Sequence, residues 1–137
     1  MRKAVRILCA TCSVAVMMLG VVSALGPASW TIRTGLGWQT EHLVGFFVIT
    51  TLACLAWPRR PFVVGCALMV AGALLEGLQA LTPDRHPNLV AALCSAGGAM
   101  AAALVAELIV RAQRRRAKKG PTSTLKSDSI QNSNAAG

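Results

Sequence analysis

The chain has 137 residues, of which 54% are apolar and only 14% charged, with a mean hydropathy of +0.55. One domain of this composition is unusual for a soluble protein. The net charge of +9 points at first to nucleic acid. Six of the fourteen Lys and Arg residues, however, lie in the short run RAQRRRAKK from Arg111 to Lys119, beside the last apolar stretch, where they read as an orientation signal beside anionic lipid. No nucleic-acid partner is expected.

Four apolar stretches, 4–26, 38–57, 62–81 and 89–110, account for most of the chain. Each is close to the roughly 20 helical residues needed to cross a hydrocarbon core about 30 Å thick. Lipid offers no partner to an open sheet edge, so helices are the expected solution. The fold class read from sequence is therefore an all-α integral membrane protein of four transmembrane helices, residues 1–110, followed by a basic and then disordered tail, 111–137.

The first stretch also has features of a signal peptide, since Arg2, Lys3 and Arg6 precede it and Val22-Ser23-Ala24 is a tolerable cleavage site. Its length, and the need to keep the tail in the cytoplasm, favour a retained helix. The connection PASWTIRTGLGWQTE, residues 27–41, carries Pro27, Gly35 and Gly37 and reads as a turn-rich loop. Trp30 and Trp38 fall at one interface and Trp57 at the other, as an aromatic belt requires. Thr50 and Thr51 are the hydroxyl residues in the middle of the second stretch, where both can bond back to the helix.

The link Pro58-Arg59-Arg60-Pro61 is short enough to make the second and third helices antiparallel neighbours, and Pro61 suits a first helical turn. In the fourth stretch Ser95, Ala99 and Ala103 recur every four residues, as do Gly98, Ala102 and Ala106. This small-residue pattern lets backbones approach closely and offers a face for a homo-oligomer. Glu107 can pair with Arg111 one turn on. If the N-terminus is cytoplasmic, twelve of the fourteen basic residues lie on that side and only Arg33 and Arg85 opposite. The positive-inside rule then sets both termini in the cytoplasm.

The five cysteines all fall within the apolar stretches and read as small packing residues. Cys9 and Cys12 have the spacing of a metal pair without a second pair to complete it. No metal and no cofactor are expected. The polar cluster is more informative. His42 stands at the mouth of the second stretch, Glu76 and Gln79 lie three residues apart on one face near the end of the third, and Arg85 and Asn88 follow. A carboxylate at that depth is costly when unpaired. Glu76 and His42 can serve as acid and base, as two ligands of a metal still lacking a third, or Glu76 can pair with Arg85 as structure. Arg85 suits an anionic group such as a phosphate. Gln79, Arg85 and Asn88 are the candidate ligand-binding residues, and His42 and Glu76 the candidate catalytic pair.

The fragments EHLVGFF, carrying His42 and Phe46, and LLEGLQALTPDR, carrying Glu76, Gln79, Pro83 and Arg85, resemble the VanZ-like family. These are small bacterial membrane proteins named after an accessory protein of glycopeptide antibiotic resistance. The resemblance covers about Gln39 to Ala103. It departs at three positions: Gln39, Ala91 and Ser95 stand where the family often has lysine, aspartate and asparagine. Asn88, one turn earlier, offers a substitute amide. The resemblance implies a multi-pass protein of the bacterial inner membrane, in contact with membrane lipids. It also leads to the expectation of a lipid or lipid-linked envelope precursor as ligand at the extracytoplasmic face, with a contribution to envelope or glycopeptide tolerance. The residues leave open an enzyme acting on such a molecule, and a structural or partner-binding helical subunit.

Overall fold

A computed structural model describes residues 3–27, 35, 37–81 and 88–118. Among them the chain is all-helical: α1 is Lys3–Leu25, α2 Trp38–Ala56, α3 Pro61–Gln79 and α4 Leu89–Lys118. Each is long and apolar enough to cross a membrane. The chain divides into two compact units, Met1–Glu107 and Leu108–Gly137, and the packing and cavities described below belong to the first.

The helices begin and end where their sequences predispose them to. Gly37, immediately before α2, has φ +85°, a left-handed conformation open to glycine and strained for other residues. Pro61 opens α3, where its missing N–H has no helical partner to lose. Between α2 and α3 the Arg60 N–H reaches the Trp57 carbonyl at 3.4 Å, and the Cys54 thiol lies 3.7 Å from the Pro61 carbonyl oxygen. The short link thus returns the chain at once. The Asn88 side chain accepts the Val90 N–H at 2.9 Å, while the Ala92 N–H bonds to the Asn88 carbonyl at 3.2 Å. Asn88 is therefore the N-cap of α4.

The fourth helix does not stop at Val110, the expected end of the span. It continues to Lys118 through Arg111, Arg114, Arg115 and Arg116. Arg, Ala, Gln and Lys are good helix formers, positive side chains near a helix C-terminus are favoured by its dipole, and no Gly or Pro interrupts before Gly120.

Small residues let the helices of the first unit approach at van der Waals range. A Cβ placed on Gly98 of α4 would overlap the Leu43 carbonyl oxygen of α2 and stand 3.1 Å from the Phe47 nitrogen. One placed on Gly65 of α3 would overlap the Ala103 Cβ of α4. Ser95, Gly98, Ala99, Ala102 and Ala103 are all buried. Gly98 and Ala103 of this stripe pack against α2 and α3 of the same chain, since close approach in an apolar medium rests on packing and weak contacts, which any smooth facing helix supplies.

Polar contacts attach α1 to α2. The Arg6 Nε donates to the Ala56 carbonyl at 3.0 Å, one of the last carbonyls of α2, which have no helical partner. The Ser13 hydroxyl donates to the Ile49 carbonyl at 3.3 Å. Apart from Ser13, α1 has no buried residue. Of the two adjacent threonines of α2, Thr51 bonds back to the Phe47 carbonyl at 2.8 Å as expected, whereas the buried Thr50 hydroxyl has no hydrogen-bond partner among the described residues.

Candidate functional site

The ends of α1, α2 and α3 that lie near the start of α4 border an open cavity of about 310 Å³. This is the lower end of the range typical of small-molecule sites, roughly 300–1,000 Å³. Its apolar wall is Val16 and Leu19 of α1, Phe46 and Ile49 of α2, and Leu75 of α3. Its polar groups are Glu41, His42, Glu76, Gln79 and Ser95, with Ser23 on α1. Two glycines leave the space open. Gly20 and Gly45 line it, and a Cβ on either would meet nothing within 4 Å.

His42 is one turn into α2. Its Nδ1 lies 2.8 Å from the Trp38 carbonyl oxygen, and the Trp38 ring meets the imidazole edge-on at 5.8 Å between centroids. A carbonyl only accepts, so Nδ1 carries the proton and the neutral ring keeps its basic lone pair on Nε2. The helix thereby fixes both the tautomer and the ring orientation.

Glu76 is one turn from the end of α3 and only 8% exposed. A carboxylate at that depth needs partners, and the structure supplies one from beyond the helix: the Asn88 backbone N–H donates to its Oε1 at 2.5 Å. The interaction is local in space but spans the α3–α4 connection. Glu76 thus holds the backbone of the α4 cap while the cap side chain holds the first turn of α4. Gln79, buried beside it at the last residue of α3, lines the same cavity.

His42 of α2 and Glu76 and Gln79 of α3 line one space. Among the described residues no hydrogen bond joins His42 to Glu76. Asn88 is adjacent to the site through its backbone and has its amide oxygen engaged in capping. Arg85, together with Asp84 and His86, lies outside the described residues. Among the described residues no group of three His, Cys, Asp or Glu side chains is placed to hold a metal.

Sequence reasoning did not single out Ser95 as a site residue beyond noting its departure from the family pattern. Its side chain is 3% exposed, lies on the cavity wall and has no hydrogen-bond partner among the described residues. The signal that would have found it is its register: Ala91 and Ser95 are one turn apart on the buried face of α4. Glu41, which precedes His42 and which from sequence alone fits either a tuning group of this cluster or ordinary surface polarity, lines the cavity.

The fold and site define a helical protein with, among the described residues, four segments long and apolar enough to span a membrane, bordering an open cavity lined by both apolar and polar side chains. Comparison with family models, with curated proteins and with solved structures finds no match for this chain.

Proposed function

We propose that this chain is a multi-pass protein of the bacterial inner membrane, of the VanZ-like type, which binds an amphipathic lipid or lipid-linked envelope precursor at its extracytoplasmic end. Both termini lie in the cytoplasm, in accord with the distribution of basic residues. The observation that carries this reading is the convergence of His42, Glu76, Gln79 and Ser95, with Glu41 and Ser23, on a 310 Å³ cavity whose other lining residues are apolar or glycine. Such a site accepts a molecule with a polar end and an apolar body. Arg85, in the connection between α3 and α4, supplies the cation for a phosphate group. The biological consequence is a contribution to envelope or glycopeptide tolerance.

A second reading is favoured by the His42 tautomer. With Nδ1 committed to a carbonyl, Nε2 is the nitrogen that takes a proton, and Glu76 shares its cavity. In that reading the chain acts as a membrane-embedded enzyme on the same ligand, with His42 as base and Glu76 as acid.

The test is native mass spectrometry of the full chain released from nanodiscs containing envelope lipids and lipid-linked cell-wall precursors. Wild type is compared with Arg85→Ala, Glu76→Gln and Gly45→Leu. Leucine at 45 starts from a Cβ that meets nothing within 4 Å and extends into the cavity, so it narrows the site. Retention of one phosphorylated species by the wild type, with loss in Arg85→Ala and Gly45→Leu, supports the reading. Unselective retention, equal in all four proteins, overturns it and leaves the cluster as internal structure. Conversion of the retained species by wild type, absent in His42→Gln, selects the enzymatic form.

A further inference from the structure

A second cavity, also of about 310 Å³, lies farther along α1, α2 and α3 toward Trp57. The two meet at Ile49, which lines both. Their chemistry is sorted along the helices. The first holds the polar groups already described; the second is lined by Met17 and Met18 of α1, Ala53 of α2, and Val64, Ala67 and Leu68 of α3, with Ser13 as its one hydroxyl. That hydroxyl donates to the Ile49 carbonyl.

Both spaces arise from one cause. Helix α1 is bonded to α2 at Arg6 and Ser13, and the α1 side chains opposite α3 do not fill the gap. Both are open grooves: Val14 and Met18, which line the second, remain more than half exposed. Water gains little along such a wall, since its polar groups are the Ser13 hydroxyl, engaged with Ile49, and the Trp57 indole N–H. Hydrocarbon fits both the lining and the surroundings.

We infer that the crevice between α1 and α3 holds the hydrocarbon chain of the same ligand whose polar end lies at His42, Glu76 and Gln79. The dimensions agree with a single extended chain. From Glu76 to Val64 the rise along α3 is roughly 18 Å at 1.5 Å per residue, and half of a ~30 Å hydrocarbon core is about 15 Å. Met17 and Met18, unbranched and flexible, suit a wall that adapts to a chain. This inference rests on the lipid-binding reading and specifies its ligand: an amphiphile with one chain running inward along α1, not a molecule confined to the headgroup level.

The experiment uses the full chain in phosphatidylcholine nanodiscs doped with a phosphatidylglycerol probe carrying a diazirine at the middle of one acyl chain. Photolysis is followed by mass spectrometric mapping of adducts. The expected result is a severalfold excess of adducts on Met17, Ala67 and Leu68 over Val63, Val70 and Leu74, which are outward-facing residues of α3. Ala67→Phe, filling the second cavity, removes the crevice adducts and leaves the outward ones. Gly20→Leu, filling the first cavity where nothing stands within 4 Å, lowers the crevice adducts as well, because one molecule occupies both spaces.

Equal labelling of crevice and outward residues overturns the inference, since the crevice then holds no preferred chain. Crevice labelling unchanged in Gly20→Leu also overturns it, since the chain is then independent of the polar site. Headgroup-selective retention in the mass-spectrometric test, combined with either result, leaves the binding reading standing and removes only the chain's placement. Circular dichroism and gel filtration of each variant report whether the fold survives, and a variant that fails them is replaced by Ala67→Leu or Gly45→Leu.

Discussion

Gly98→Ala tests the packing on which the site depends. The added methyl overlaps the Leu43 carbonyl oxygen and lies 3.0 Å from its carbonyl carbon and 3.1 Å from the Phe47 nitrogen. All three are backbone atoms of α2, so no side-chain rotation relieves the clash, and comfortable separation is about 3.5 Å or more. Helix α4 therefore retreats from α2 by a substantial fraction of an ångström. A gap of 0.5–1 Å forfeits about a quarter to a half of each dispersion contact across the face, and overpacking of this kind costs about 1–3 kcal/mol. Gly97, its neighbour in sequence, is the control, because a methyl added there meets nothing within 4 Å. A thiol-reactive dye reports unfolding of the detergent-solubilised chain through Cys54, which is buried. The expected fall in Tm for Gly98→Ala is roughly 5–10 °C, with Gly97→Ala unchanged or slightly raised by its helix propensity. Equal melting of the two variants refutes the α2–α4 contact as described.

Gly65→Ala also destabilises, but its obstacle is the Ala103 Cβ, so the double variant Gly65→Ala/Ala103→Gly recovers most of the loss in the same melt; additive losses count against the α3–α4 register. Glu76→Leu leaves the Asn88 N–H without its acceptor and costs about 1–3 kcal/mol, while Glu76→Gln keeps a neutral acceptor and costs less. Equal Tm values for the two variants speak against the bond. Thr50→Val removes a buried hydroxyl with no partner and raises stability by about 1 kcal/mol; a lower Tm shows that the hydroxyl has a partner after all. Arg6→Met deprives the Ala56 carbonyl of its donor at a cost of about 1–2 kcal/mol, read as a lower Tm and as faster modification of Cys12 as α1 loosens.

The number, length and order of the helices are determined by the sequence alone. Each apolar stretch is contiguous, and the length of a helix is a linear function of its residue count, so the expected and observed boundaries agree within two residues except at Val110. That exception has a local cause too: hydropathy marks where a span ends, whereas helix propensity and the absence of Gly or Pro decide where the helix ends. The nearness of Glu76 to Gln79 was equally legible, because it follows from spacing within one turn. The cap at Asn88 obeys the same local logic, an amide just before an apolar run, although the family pattern drew attention to that residue as a ligand instead.

The tertiary structure decided which surfaces meet. In the small-residue stripe of α4 nothing distinguishes a helix of the same chain from one of another, because smoothness carries no address; the backbone of α2 at Leu43 and the methyl of Ala103 against Gly65 supply that information. The partner of Glu76 was likewise hidden, since it is a backbone N–H, present at every residue but proline and invisible to any reading of side chains. The cavities belong wholly to this level. A void is the space that side chains from three helices fail to fill, and such a failure of packing depends on distances between elements that no single stretch of sequence contains.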